Sequence, residues 1–120
     1  MAEYVDGFVV PVPKDKVDDY RRMASAAGAL WREHGALDYK ECVAEDVPDG
    51  KVTDFPRSVQ QESDETTVFA WITYESRADR DRVNAKVMDD PRMKEMMEEA
   101  ESVFDASRMI YGGFEVIVDA

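Results

Sequence analysis

The stretch ALWREHGALDY, residues 29–39, decides how the rest of the chain is arranged. A helical pattern of apolar residues runs into this stretch and stops at Gly35, and an alternating pattern typical of a strand begins directly after it. Glycine is the residue that most often ends a helix in a left-handed conformation. The stretch also holds His34, the chain's only histidine, and Trp31, one of its two tryptophans. It therefore predicts a helix-to-strand junction that carries candidate pocket residues.

On the N-terminal side of this junction, the pattern predicts a strand followed by a helix. Tyr4 to Val12 is apolar on both faces, which is typical of a central strand, and Asp6 is its polar exception. Pro13 to His34 has apolar residues at spacings of three and four, which predicts one buried stripe. That stripe consists of Val17, Tyr20, Ala24, Ala27, Trp31 and His34. Gly28 weakens a helix interior by about 1 kcal/mol, so we expect another group to pack close to it.

On the C-terminal side, the next two predicted strands flank a long loop. Ala36 to Glu45 alternates and is more polar than the first strand, which predicts an edge strand. Val47 to Glu65 shows no sustained period, and loops of this length are often functional or wrap a partner. Thr66 to Glu75 is apolar or aromatic on both faces, which predicts a second central strand.

The remainder of the chain predicts a broken helix and a last strand. Ser76 is placed to cap the helix, which Asp90 and Pro91 interrupt and restart. The inner stripe of the restarted part is Met93, Met96, Met97 and Ala100. Arg108 to Asp119 predicts the final strand, in which Gly112–Gly113 indicates a bulge or a close backbone approach.

The resulting order, β-α-β-β-α-β, is the ferredoxin-like pattern of the α+β class. Right-handed crossovers place the first and third strands in the middle of a four-stranded antiparallel sheet, with both helices on one face. One domain over residues 1–120 is expected. Because the second face also carries apolar side chains, we expect a second copy to cover it, sheet against sheet, as in a dimeric α+β barrel.

Composition excludes several classes of protein. The net charge is −12, with 27 acidic against 15 basic residues, so the chain repels phosphate backbones and nucleic-acid binding is not expected. An acidic excess of this size also fits a salt-loving source. No apolar run is long enough to span a membrane, and the N-terminus lacks a secretion signal. A cytoplasmic protein is expected. The single cysteine, Cys42, excludes an internal disulfide and a multi-thiolate metal site.

Three polar residues are candidates for catalysis, and for each there is a structural alternative. Histidine is a common general base in proteins, so His34 is a candidate for that role; alternatively, it interacts favourably with the helix dipole at a C-terminus. Asp6 and Glu115 lie on strands that are neighbours in the predicted sheet. They form either a pair of carboxylates with perturbed pKa or hydrogen bonds across an interface.

Five further residues are candidates for ligand binding. Trp31, Tyr39, Trp71 and Tyr111 are able to line an aromatic pocket for a flat organic molecule, although simple core packing is the favoured interpretation. Arg57 is able to clamp a carboxylate, and a salt bridge within the loop is the alternative. The seven methionines favour core filling over a copper site. No phosphate loop or nucleophile elbow occurs, so no metal and no cofactor are predicted.

Four stretches together resemble a known family. They are WREHGALDYKE at 31–41, DGKVTDFPRSV at 49–59, VFAWITYESRADRDRVNAKVMDDPRM at 68–93 and RMIYGGFEVIVD at 108–119. They are similar to the YbaA-like family of small bacterial and archaeal proteins, which carries no assigned biochemical function.

That family is similar in turn to the dimeric α+β barrel superfamily, which includes antibiotic-biosynthesis monooxygenases and haem-degrading enzymes. The haem-degrading members use a helix-borne histidine as iron ligand. Here the helix from Ser76 to Ala100 has no histidine, so the sequence departs from their pattern. The resemblance extends to the fold and by itself implies no mechanism.

Two functions from different classes follow as expectations. The first is a cytoplasmic homodimer that binds a small molecule or acts as a structural module, without a cofactor. The alternative is a cofactor-independent, monooxygenase-like enzyme that acts on an aromatic or polyketide-like molecule. An open pocket that holds His34, Tyr39 or Trp71 beside a polar residue would favour the enzyme.

Overall fold

The computed structural model describes residues 3–120 of the chain. Its strands and helices follow in the predicted order, with one short added helix, α2. They are β1 (Tyr4–Pro13), α1 (Val17–Glu33), β2 (Asp38–Val43), α2 (Phe55–Ser58), β3 (Glu65–Tyr74), α3 (Arg77–Asp89), α4 (Pro91–Ala100) and β4 (Ile110–Glu115). Single 3₁₀ turns precede α1 and β4, at Lys14–Lys16 and Ala106–Arg108.

The four strands form one antiparallel sheet in the order β2-β3-β1-β4. Strands β1 and β3 are central and β2 lies at an edge, so the ferredoxin-like α+β prediction is confirmed. The register sets Gly7 of β1 opposite Trp71 of β3 on one side and opposite Gly112 of β4 on the other. Since side chains alternate along a strand, this register decides which residues share each face.

The core lies between the sheet and helices α1 and α3. Sheet residues of the helix-facing side, such as Val10, Val68 and Ile72, are buried there. The predicted stripe of α1 is correct for Tyr20, Ala24 and Trp31, which are buried, whereas Val17, Ala27 and His34 are only half-buried. Gly28 and Leu30 are buried although the stripe omitted them. Met97, predicted to face inward, is exposed, while Met93 and Met96 pack against the core.

The predicted helix ends are confirmed in their chemistry. Ser76 accepts a hydrogen bond from the Asp79 N–H at 3.1 Å, and Asp90 accepts one from the Arg92 N–H at 3.0 Å. Pro91 occupies the first turn of α4, where a missing N–H costs nothing. Gly35 follows α1 with φ of +121°, a conformation that side chains of L-residues rarely adopt.

Several boundaries differ from the prediction for identifiable reasons. Helix α1 begins at Val17 rather than at Pro13, because Pro13 is still the last residue of β1. Strand β4 ends at Glu115, because its neighbour β1 begins only at Tyr4. The Val116 N–H donates to the Glu3 carbonyl at 3.0 Å, and the remaining tail, residues 117–120, continues past the sheet outside any strand.

The long loop is more ordered than its sequence suggested. It contains the helical turn α2, which Asp54 caps by accepting from the Arg57 N–H at 2.9 Å. Val59 is fully buried and anchors the loop, whereas Val52 is exposed. The Phe55 ring stacks on Phe69 of the same subunit, with 5.9 Å between ring centroids. The loop therefore folds back over part of its own sheet.

The face of the sheet opposite the helices is apolar and largely uncovered. It carries Phe69 of β3, 40% exposed, together with Ile110 and Phe114 of β4, 45% and 62% exposed. The register aligns Phe69 and Ile110 on either side of Val9, so these side chains are neighbours. Monomeric proteins rarely leave contiguous apolar patches of this kind in water.

Candidate functional site

A groove of about 460 Å³ lies between α1 and β2, on the helix side of the sheet. Its volume lies within the range typical of small-molecule sites. Most of its lining is apolar, and one acidic residue, Glu41, contributes to its wall. The lining from α1 includes Val17, Tyr20, Ala24 and Gly28, and that from the sheet includes Tyr39, Glu41, Val43 and Val68. A mostly apolar groove with few polar groups is the usual form of a ligand site.

Two tyrosine hydroxyls hold the carboxyl of Glu41. Tyr20 donates to Oε1 at 2.7 Å, and Tyr39 donates to Oε2 at 2.6 Å. Tyr39 and Glu41 share a face because they are two residues apart on β2. A carboxylate oxygen accepts two hydrogen bonds, so each oxygen of Glu41 retains one position for a ligand.

Burial changes the proton affinities of all three groups. It raises the pKa of the Glu41 carboxyl, an effect that the hydrogen bonds from Tyr39 and Tyr20 partly offset. Burial, together with the nearby charge of Glu41, also raises the pKa of both tyrosines, so their hydroxyls remain neutral donors. Glu41 is thus able to carry a proton at a higher pH than an ordinary glutamate.

The close packing expected at Gly28 is confirmed. A Cβ atom at this position would lie 2.7 Å from Cδ1 of the Tyr39 ring, closer than Cβ atoms come to other atoms. Trp31 packs against the same ring, with 6.0 Å between centroids at a tilt of 37°. Helix α1 and Trp31 together fix the position of the Tyr39 ring, and hence of its hydroxyl.

Two arginines lie at the rim of the groove, and they differ in their partners. Arg21 pairs with Asp18 at 2.6 Å. Each of the other arginines within residues 3–120 also forms at least one ion pair, except Arg32, for which the same residues supply none. Arg32 interacts with Asp38 only at longer range, where its charge helps to lower the pKa of that carboxyl. Because acidic residues greatly outnumber basic ones in this chain, a guanidinium without a direct ion pair at a groove is notable.

The predicted aromatic residues are divided between different parts of the molecule. Trp31 and Tyr39 lie together, although Trp31 is buried and donates from Nε1 to Asn84 Oδ1 at 3.0 Å. Trp71 lies on the opposite face of the sheet, in register with Gly7. Tyr111 lies on β4, exposed and stacked on Phe8. Only Tyr39 of this predicted set lines the groove.

Arg57 lies in the long loop, away from the groove lining. Its guanidinium lies 3.6 Å from Asp54, the residue that caps α2. This contact is the loop salt bridge that the sequence left as the alternative to a carboxylate clamp.

His34 lies in a cluster of charged groups that joins the end of α1 to the start of α4. Its Nε2 lies 3.0 Å from Asp90 Oδ2, and Arg92 donates to both Asp90 and Glu33. Hydrogen bonds from Arg92 and His34 hold the pKa of Asp90 well below its ordinary value. Glu33, His34 and Asp90 have the donor types of a metal site, but Arg92 already donates hydrogen bonds to both carboxylates. The cluster is accounted for as a helix-end junction.

Asp6 is buried, and its partner is an arginine rather than Glu115. The Arg80 guanidinium donates to Asp6 Oδ1 at 2.8 Å and lies 5.0 Å above the centre of the Tyr4 ring. The register places Asp6 opposite Gly113, and Glu115 opposite Tyr4, at the exposed end of β4. The two carboxylates share a face, but Asp6 is committed to an ion pair in the core.

The groove's main polar residues, Glu41, Tyr20 and Arg32, were not predicted as site residues. The signal for Glu41 was present, because it occupies the same face of β2 as Leu37, Tyr39 and Val43. An acid in the apolar register of an alternating strand requires a partner when it is buried. Tyr20 of α1 is one of the hydrogen-bond partners of Glu41, and only the packing of α1 on β2 brings these two residues together.

Fold and groove together define a small ferredoxin-like α+β domain with a candidate ligand site between its first helix and an edge strand. Residues 3–106 match the family described as Protein of unknown function (DUF1428). The chain belongs to this family.

Among its relatives, the protein YbaA of Escherichia coli K12 is 58% identical over 117 residues, which is 98% of each chain. The YbaA protein of Shigella flexneri matches to the same extent.

Solved structures of low sequence identity share the fold. A NIPSNAP family protein from Agrobacterium tumefaciens superposes with a TM-score of 0.60 at 10% identity, over 96% of this chain and 88% of that one. A protein described as a dimeric ferredoxin-like protein, from an uncultured marine organism, superposes with a TM-score of 0.59 at 10% identity. The superposition covers 98% of this chain and 99% of that one. No helix within residues 3–120 has the length and apolar character needed to cross a membrane.

Proposed function

We propose that this protein is a homodimeric, small-molecule-binding module with one ligand groove in each subunit, between α1 and β2. The observation that carries the proposal is Glu41, a carboxyl in the lining of a mostly apolar groove. A carboxyl that served only to stabilise the fold would be paired with a cation or replaced by an apolar residue. Glu41 instead has two tyrosine partners and retains accepting positions that a ligand is able to use.

The dimer is proposed from the uncovered face of the sheet. Phe69, Ile110 and Phe114 form an apolar surface there, and a two-fold partner that presents the same surface would bury it. We expect at least about 1,500 Å² of total buried area, as in stable interfaces. The structural neighbour from the uncultured marine organism is itself described as dimeric, which supports this arrangement.

The two proposed surfaces lie on opposite sides of the sheet and do not compete. The groove is on the helix side, whereas the partner would cover the other side. Each subunit of such a dimer keeps an open groove. We place this module in the cytoplasm, where its single cysteine, Cys42, stays reduced.

A thermal-shift screen of small molecules tests the ligand groove, because a ligand that binds only the folded state raises its stability. Two tryptophan substitutions on α1 supply the matched comparison. Ala29 and Ala26 are both exposed, but only Ala29 lines the groove. Compounds that bind in the groove should raise the Tm of the natural protein and of Ala26→Trp, but not that of Ala29→Trp.

Two results would contradict this placement of the site. One is a set of compounds that stabilise all three proteins equally, which places their binding elsewhere. The other is a broad library in which no compound stabilises the natural protein.

A further inference from the structure

We propose that Glu41 is a catalytic proton-transfer group, and that its substrate is a 2-oxo acid with an aromatic or other bulky apolar side chain. Arg32 binds the substrate's carboxylate, and the reaction is the interconversion of the keto and enol forms. This inference rests on the groove being the ligand site proposed above. It assigns that site a chemistry and a class of substrate.

The acidic group of the substrate follows from Arg32. Its guanidinium is the one at the groove that has no carboxylate of residues 3–120 within ion-pair distance, although Asp38 is near enough for the two charges to interact. The smaller negative charge of a carboxylate suits this acidic chain better than that of a phosphate, and a carboxylate accepts two parallel hydrogen bonds from an arginine. In a protein of net charge −12, the positive charge of Arg32 also offsets the general repulsion of an anionic ligand. The geometry therefore points to a carboxylic acid.

The apolar part of the substrate follows from the groove wall. Apart from its polar groups, the lining is formed mainly by small and branched apolar residues: Val17, Ala24, Gly28, Val43 and Val68. A volume of about 460 Å³ accommodates an aromatic ring with a three-carbon acid. A polar side chain would lose its hydration there without gaining partners.

The proton-transfer role follows from how Glu41 is held. Within residues 3–120 no cation pairs with its carboxyl, and its hydrogen-bond partners are the hydroxyls of Tyr20 and Tyr39. These two donors fix both oxygens in place, which orients the free positions toward a ligand. Burial raises the pKa of Glu41, and a general base is most effective when its pKa is moved toward the working pH.

A 2-oxo acid suits these groups because its reactive carbon is next to the ketone. The Glu41 carboxylate removes a proton from that carbon, and the C–H electron pair becomes the new C=C bond. The ketone π electrons move to oxygen, which gives an enolate and a neutral Glu41. Glu41 then delivers the same proton to the enolate oxygen, which forms the enol and restores the carboxylate. The reaction is an isomerisation, so it consumes no oxidant or reductant.

The test uses phenylpyruvate as probe and measures two quantities by proton NMR. One is binding, from saturation transfer to the phenyl protons; the other is exchange of the methylene protons for deuterium in D₂O. The natural protein should bind phenylpyruvate and accelerate exchange over buffer. Glu41→Gln should keep binding and lose exchange by about 100-fold or more, the usual contribution of a general base.

Arg32→Gln should weaken binding about tenfold or more, whereas Arg22→Gln should leave it unchanged. Arg22 is also exposed on α1, but it is paired with Asp19 and does not line the groove. If Glu41→Gln fails to fold, Tyr20→Phe serves instead. It keeps the carboxyl but removes one donor to its charged form, so the pH profile of exchange should move to higher pH.

The outcomes separate this inference from the proposed function. Binding of phenylpyruvate without exchange above buffer would overturn the catalytic role and leave the binding module intact. Compounds that occupy the groove while phenylpyruvate does not bind would overturn the substrate class. Failure of every compound in the screen would overturn the proposed function itself.

Discussion

The ring of Tyr39 lies directly against the backbone of Gly28, so that a Cβ at position 28 would be only 2.7 Å from Cδ1 of that ring. This contact sets how closely α1 approaches β2. It also places the Tyr39 hydroxyl on Glu41 at 2.6 Å. The width of the groove and the position of its carboxyl therefore depend on a glycine inside a helix.

Gly28→Ala should destabilise the protein by up to about 2 kcal/mol. Alanine favours the helix by about 1 kcal/mol, but forcing a methyl group into a packed contact costs about 1–3 kcal/mol and displaces the Tyr39 ring. Urea unfolding measures the change. Ala26→Gly, on the exposed side of the same helix, measures the effect of helix propensity without the packing contact and should cost about 1 kcal/mol. A Gly28→Ala protein that is more stable than the natural one would refute the contact.

Glu41→Gln should become more stable relative to the natural protein as pH rises. Because burial raises the pKa of Glu41 above its ordinary value of 4.5, the folded protein holds this proton more tightly than the unfolded chain. In the natural protein, the contribution of Glu41 to the free energy of unfolding is fully present below that ordinary value. It is lost as pH rises through the pKa of Glu41 in the folded protein. Glutamine does not titrate, so the stability of Glu41→Gln does not decline in this way.

Chemical unfolding of both proteins at a series of pH values measures this difference. Glu99→Gln, at an exposed residue of α4, is the control for the loss of one negative charge at the surface. A Glu41→Gln protein whose stability relative to the natural protein falls or stays constant as pH rises would show that Glu41 is not held as described.

Arg108→Ala should cost about 3–5 kcal/mol at neutral pH, because it leaves the buried carboxylate of Glu65 without its partner. Arg108 donates to both oxygens of Glu65, at 2.7 and 2.6 Å, and to the Gln60 carbonyl at 2.9 Å. The hydrogen bonds from Arg108 lower the pKa of Glu65. The stabilisation from this pair is therefore present at pH values above the ordinary pKa of a glutamate. It is lost as pH falls through the pKa of Glu65 in the folded protein.

Thermal unfolding at neutral and acidic pH tests the role of Arg108, and the cost of Arg108→Ala should shrink in acid. Arg22→Ala removes an exposed pair with Asp19 and should cost less than about 1 kcal/mol. Equal, small effects of the two substitutions would rule out a stabilising role for the Arg108–Glu65 pair.

The acidic excess should make the fold more stable as salt is added. At a net charge of −12, self-repulsion in dilute buffer favours the unfolded chain, and salt screens that repulsion. The midpoint of thermal unfolding should rise from low to molar concentrations of both sodium chloride and potassium chloride. A midpoint that stays constant in both salts would exclude an adaptation to salt.

The order of the elements and the central position of β1 and β3 could be predicted from the sequence, because strand and helix periods are local. The helix ends at Gly35, Ser76 and Asp90 were predictable for the same reason. Met97 was misplaced because the helical period of α4 does not show how much of that short helix the core reaches. The turn α2 was missed because four residues are too few to show a period.

The groove could not be predicted in the same way, because its parts are distant in sequence. Tyr20 and Glu41 meet only when α1 packs on β2. The predicted aromatic pocket combined residues by type alone. Register then separated them, since Trp71 and Tyr39 face opposite sides of the sheet. Asp6 was recognised as unusual, but its partner Arg80 lies on a helix 74 residues further along.

The dimer is tested most directly by light scattering on the purified protein at micromolar concentration. The natural protein should have about twice the single-chain mass of 13.7 kDa. Phe69→Glu, on the uncovered face, should give the mass of one chain while keeping its circular dichroism, and Met88→Glu, an exposed apolar position on α3, should remain dimeric. A natural protein with the mass of one chain, and with no dimer on concentrating, would contradict the proposed assembly.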